Sequence, residues 1–146
     1  MSGTQSLPAA LPQSNQTDIG VLAGAFRQTT NSYKFLFFLG LLRLCEKSRF
    51  AQLRLSMRDV VLQMLTVAWY PNRFCRLSFG RQDRVGRVLE EFEEIGPLSG
   101  ARDGVLTARS VETHLSRLWD SSEATDAAMT LLRYVPFRFL SGFFLK

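Results

Sequence analysis

The cleanest pattern in the chain is an apolar stripe at Met57, Val60, Val61, Met64, Leu65, Ala68 and Trp69. These positions follow i, i+3, i+4, i+7, i+8, i+11 and i+12, one face of an α-helix. Ser56-Met57-Arg58-Asp59 offers a capping arrangement at its start. Pro71 disfavours helical geometry at Tyr70, so the helix is expected to stop there.

Upstream, Thr17 or Asp18 can cap a short helix through Ala25 or Arg27, with Ile19, Val21, Leu22 and Phe26 as its apolar positions. Thr29-Thr30-Asn31 breaks that pattern and offers a fresh N-cap. The next helix, about Ser32 to Lys47, is apolar almost all round, as expected of a central core helix. Downstream, Asn72 to Arg81 reads as irregular or briefly extended and ends in Phe79-Gly80. A helix resumes near Gln82 with Val85, Val88, Leu89, Phe92 and Ile95 on one side, closed by Gly96 as a C′ glycine before Pro97. Asp103-Gly104 reads as a turn. Thr107 caps another helix, with Leu106 and Val111 spaced as a hydrophobic staple. Val111, Leu115, Leu118 and Trp119 line its buried face, and a last helix spans about Ser122 to Tyr134. The tail Phe137–Lys146 is apolar to its penultimate residue, so either it folds back on the core or a partner covers it.

The fold class that follows is all-α. We expect a flexible leader over residues 1–17 and a single compact helical domain over 18–146. That domain has five or six helices, with an irregular Pro/Gly segment between the third and fourth. A chain of 146 residues can bury roughly two-thirds of its unfolded surface. Its 12 phenylalanines make the expected core unusually aromatic.

Charge changes the picture, because the net +5 is not spread evenly. Ten arginines and two lysines face three acids from Arg27 to Arg87, a balance of +9. From Val88 to Asp126 nine acids face three arginines, a balance of −6. A basic half beside an acidic strip suits a protein that meets a polyanion on one face. Fifteen arginines against three lysines fit phosphate contact, because guanidinium groups fork onto phosphates. Arginine-rich codon usage gives the same bias without any function. The Gln82–Ile95 helix also opposes its own dipole, with Arg84 and Arg87 at its start and Glu90, Glu91, Glu93 and Glu94 at its end.

Catalytic chemistry finds little to work with. His114 is the only histidine, without a second ligand at helical spacing, and reads as a surface or hydrogen-bonded residue. No phosphate-binding, nucleophile-elbow or zinc-protease motif occurs. Cys45 and Cys75 lack metal-ligand spacing and read as reduced core residues of a cytosolic protein. Glu90–Glu94 would splay its carboxylates round a helix, which suits a solvated or docking face better than a metal site. No catalytic residue, metal or cofactor is therefore expected. The leader lacks a signal-peptide pattern. Phe35–Leu42 is far short of the roughly 20 residues that span a bilayer, so a soluble, cytoplasmic chain is expected.

Thr29 to Phe38, Ala68-Trp69-Tyr70-Pro71, Leu77 to Asp83 and Val135-Pro136-Phe137-Arg138-Phe139-Leu140 together resemble the N-terminal helical region of bacterial HNH-endonuclease-domain proteins. Their order and spacing cover most of residues 24–140. The His/Asn motif that names those proteins does not occur in this sequence. The resemblance implies a truncated homologue, or the N-terminal part of a longer nuclease, from a restriction or antiphage-defence system. It transfers no catalytic residue.

The candidate contacts to DNA are Lys34, Tyr70, Arg73, Arg76, Arg81, Arg84 and Arg87. Aromatic and basic residues interleave here as in single-strand or distorted-duplex binding. Trp69, at the end of the apolar stripe, reads as core rather than contact. The competing function is a protein-interaction subunit that docks a nuclease domain or another protein through Glu90, Glu91, Glu94, Phe143 and Phe144. No membrane partner or small-molecule substrate is expected.

Overall fold

The computed structural model of the chain describes residues 15–16, 18–27, 32–51, 54–80, 84–98, 106–133 and 135–144. At positions 122, 135, 137, 138, 142 and 144 it describes the backbone alone. The described part of the chain is all-α, one more helix than the upper expectation, and contains no strand. Its elements are α1 (Ile19–Ala25), α2 (Tyr33–Lys47), α3 (Met57–Trp69), a π-helical turn (Tyr70–Phe74), α4 (Arg84–Ile95), α5 (Ala108–Trp119), α6 (Ser122–Leu132) and α7 (Val135–Phe144). The 1–14 stretch of the leader, the Thr29–Asn31 cap and the Asp103-Gly104 turn lie outside the described residues.

Local capping follows the sequence closely. Asp18 accepts from the Gly20 amide at 2.9 Å, Ser56 from Asp59 at 3.0 Å and Thr107 from Ser110 at 3.1 Å. Each side-chain oxygen satisfies an amide that the first helical turn leaves without a partner. Ser121 does the same for α6, accepting from Ala124 at 3.3 Å.

The central helix is α3, not α2. Nine of the thirteen residues of α3 are buried, and it packs against α2, α4, α5 and α6. In α2 only Leu36, Phe37 and Gly40 are buried, while Phe35, Leu39 and Leu42 stand exposed. Gly40 sets this orientation. A Cβ there would lie 3.1 Å from the Val60 carbonyl oxygen and 3.2 Å from Met64 Cγ, so α2 and α3 approach through the missing side chain.

The apolar C-terminal stretch folds back as α7 against α1 and α2. Phe139 is buried at its centre, with ring centroids 5.6 Å from Phe26, 5.3 Å from Phe37 and 6.0 Å from Phe38. Those separations match the offset and edge-on geometries that aromatic quadrupoles favour. The phenylalanine excess is thus concentrated where α1, α2 and α7 meet.

Two details depart from expectation. Gly96 follows α4, but it has no left-handed φ. Its small size instead admits Leu118, whose Cδ2 would sit 2.8 Å from an added Cβ. Cys75 is exposed rather than core and Cys45 is half-buried, both as free thiols. Cys75 follows a turn that bends the chain outward before it reaches α4.

Candidate nucleic-acid interface

The helical path does not end at Tyr70. Pro71 has no N–H to give to the carbonyl four residues back, and the backbone widens into a π-turn. The Cys75 amide donates to the Tyr70 carbonyl at 3.2 Å, five residues back. The Leu77 amide then reaches the Pro71 carbonyl at 2.9 Å, and Asn72 Nδ2 donates to the Leu77 carbonyl at 3.1 Å. Closing this loop puts Arg76 at φ 54°, the left-handed region that a side chain rarely enters.

The π-turn positions two rings. Tyr70 and Phe74 stack with centroids 4.8 Å apart and planes 17° apart, and each is 52% exposed. Trp69, one residue earlier, is buried, in line with its place on the apolar stripe. Phe79 is half-buried and packs against the core. Its carbonyl accepts from the Ser32 amide at 3.5 Å.

The seven candidate DNA contacts do not form one surface. Tyr70, Arg73 and Arg76 share the π-turn and its exit. Lys34 is half-buried, and its Nζ donates to the Ala25 carbonyl at 2.8 Å, closing the end of α1. Arg81 lies outside the described residues. Arg84 and Arg87 are exposed on α4, where the Arg84 backbone N–H donates to Tyr33 Oη.

That α4 face also carries Glu90, Glu91 and Glu94, all exposed. Residues 84, 87, 91 and 94 fall on one side of the helix, because Val85, Val88, Leu89 and Phe92 turn to the core. Arg84 and Arg87 therefore share their surface with the acids, which weakens any field they present to a phosphate backbone. The acidic strip and Phe143 of the docking reading lie on different helices. Phe143 is partly exposed on α7 and packs on Phe139 at 6.1 Å. The Phe144 side chain lies outside the described residues.

Ion pairing was not legible in the residue order. Three pairs occur among the described residues: Lys47–Glu112, Arg58–Asp120 at 3.0 Å and Arg73–Glu93 at 3.9 Å. Each joins a base of the basic block to an acid of the acidic block. At partly exposed positions each is worth no more than about 1 kcal/mol. Their larger consequence is electrostatic, since part of the segregated charge is neutralised within the fold. Arg73 is thereby shared between Glu93 and any outside partner, while Arg76 is exposed without an ion pair among the described residues.

His114 is buried in α5. Its Nε2 lies 2.8 Å from the Gly96 carbonyl, and Arg117 Nη2 lies 3.2 Å from its Nδ1. Arg117 can only donate, so Nε2 carries the proton and donates to Gly96, satisfying a carbonyl just past the end of α4. The histidine thus ties α5 to α4. Among the described residues no group of three histidine, cysteine or acidic side chains could hold a metal ion.

No protein-family model matches the chain, and searches of curated proteins and of solved structures find no match. Among the described residues no helix is long and apolar enough to cross a membrane.

Proposed function

We propose that this chain is a non-catalytic DNA-associated recognition module, related to the N-terminal region of bacterial HNH endonucleases and serving a restriction or phage-defence system. One observation carries the DNA reading: the exposed Tyr70–Phe74 ring stack, flanked by Arg73 and Arg76 on a π-turn whose exit residue is held in left-handed geometry. Strained backbone persists where surrounding contacts enforce it and is concentrated at binding and catalytic sites. Aromatic faces with arginines beside them match the chemistry of bases and phosphates.

The test is fluorescence anisotropy of the whole chain with a labelled DNA duplex over a salt series. Affinity should fall steeply as salt rises, because each neutralised phosphate releases counterions. Arg76→Gln should weaken binding and lower the salt slope by about one. Binding that is absent, or flat with salt, removes the reading.

A second reading, a protein-interaction subunit, draws on the exposed Glu90, Glu91 and Glu94 of α4, none of which has an ion pair among the described residues. A strip of that kind suits a basic surface on a partner protein. A Glu90→Gln, Glu91→Gln, Glu94→Gln variant that keeps every protein contact of the native chain would exclude it.

A further inference from the structure

The sequence places its candidate DNA contacts around the π-turn and α4. It gives no hint of the groove between α2 and α5, which has α3 as its floor and passes beside Tyr70. Two connected recesses form it. One of about 510 Å³ is walled by Leu39, Leu42, Val67, Tyr70 and Leu106. The other, of about 870 Å³, carries Arg43, Lys47, Arg109 and Arg117 together with Glu46, Glu112 and Asp120. Arg43, Glu46 and Ala108 line both, so the apolar end adjoins a charged one in which cations outnumber acids by one.

We infer that this groove seats an unpaired nucleotide of a DNA strand, with the base at the apolar end and its phosphate at Arg43 and Arg109. The inference rests on the nucleic-acid reading above and names the form of DNA that the site takes. Four observations lead to it.

The apolar end has an aromatic wall and exposed aliphatic positions, and a base offers a flat π-face that stacks on such a wall whatever its sequence. Its volume lies within the range of about 300–1,000 Å³ common to small-ligand sites. Arg43 and Arg109 have no ion pair among the described residues, whereas Lys47 is held by Glu112 and Arg117 by His114. The two unpaired cations are therefore the ones left for a phosphate. Arg43 follows Leu39 by four residues, about 6 Å along α2, so base wall and phosphate contact sit within the reach of one nucleotide.

Glu46 adds direction. A carboxylate at the rim repels phosphate but accepts from an exocyclic amino group, as acidic side chains do from cytosine. A paired duplex cannot use this arrangement, because its base faces are stacked inside the helix. An apolar helix from another protein would match the first recess but would make no use of Arg43 and Arg109 in the second.

The experiment compares three labelled ligands on the whole chain: a 12-nucleotide single strand, the same strand with abasic sites, and the matching duplex. The native chain should bind the intact strand roughly tenfold more tightly than the abasic strand, the usual scale of one base stacked on an aromatic side chain. Leu42→Gln, a charge-neutral change at an exposed position, should lower intact-strand affinity several-fold, by roughly three or more, and leave duplex affinity unchanged. Arg43→Gln should reduce the single-strand salt slope by about one. Circular-dichroism melts confirm that both variants are folded, and the abasic comparison needs no variant at all. Equal affinity for all three ligands overturns the groove assignment and leaves the broader DNA reading standing. Absence of binding to any of them overturns both.

Discussion

Replacing Gln63 with methionine should make this protein more stable. Gln63 is 1% exposed on α3, at the floor of the recess between α2 and α5, and its Oε1 has no hydrogen-bond partner among the described residues. An acceptor buried in that way loses its water and gains nothing in return, a cost of about 1–3 kcal/mol. Methionine has nearly the same length and volume, and swaps of that kind disturb packing by less than about 1.5 kcal/mol. Leu62 and Ala108 line the same recess and offer apolar surface to a flexible thioether. The balance is a gain of about 1–2 kcal/mol, or roughly 3–6 °C in Tm for a chain of this size. Urea unfolding followed by far-UV circular dichroism should move to a higher midpoint at unchanged slope. A Gln63→Met protein that unfolds at lower urea than the native chain would refute the reasoning and show that the amide oxygen is satisfied.

Two further outcomes follow from the packing and the backbone. Phe139→Ala removes the ring on which Phe26, Phe37 and Phe38 converge, and should cost about 3–5 kcal/mol by the same unfolding assay. A loss below about 1 kcal/mol would mean that α7 is not docked on α1 and α2. Arg76→Gly relieves a left-handed residue at φ 54° and should stabilise by roughly 0.5–1 kcal/mol after the added chain entropy of glycine. The same change should weaken DNA binding, so stability and affinity move in opposite directions.

Local signals were readable because short-range physics decides them. The stripe of α3 fixes its buried face, and all its members except the exposed Met57 enter the core. The caps at Asp18, Ser56 and Thr107 needed only neighbouring amides. In α2 that logic gives no answer, because a helix apolar on every side has no pattern to say which side is covered. Gly40 decides it through a close approach to Val60 and Met64, a tertiary event. Pro71 disfavours helical geometry at Tyr70 in the sequence, yet Tyr70 stays helical, and a five-residue bond sustains the turn that carries the exposed Tyr70 and Phe74 rings. Lys34 counted as a contact while its partner, the Ala25 carbonyl, could not be seen from the sequence.

Charge shows the same limit from the other side. Counted along the chain, the basic block predicts a broad positive face. The fold instead brings acids of the second block to Lys47, Arg58 and Arg73 and sets three glutamates on the α4 face that carries Arg84 and Arg87. At 10 Å in water one unit charge shifts another by about 0.4 kcal/mol, and salt screens most of that beyond about 8 Å. An approaching phosphate is therefore governed by the few charges nearest to it, not by a block total. Around the π-turn and the α2–α5 groove Arg73, Lys47 and Arg117 are held by Glu93, Glu112 and His114, whereas Arg43, Arg76 and Arg109 have no ion pair among the described residues. Glu93 of α4 reaches Arg73 on the π-turn at 3.9 Å, so the acidic end of α4 lies beside that turn. On the proposed DNA reading a strand at the π-turn therefore meets the α4 acids as well as the arginines, so Arg76 and the groove arginines must supply the net attraction.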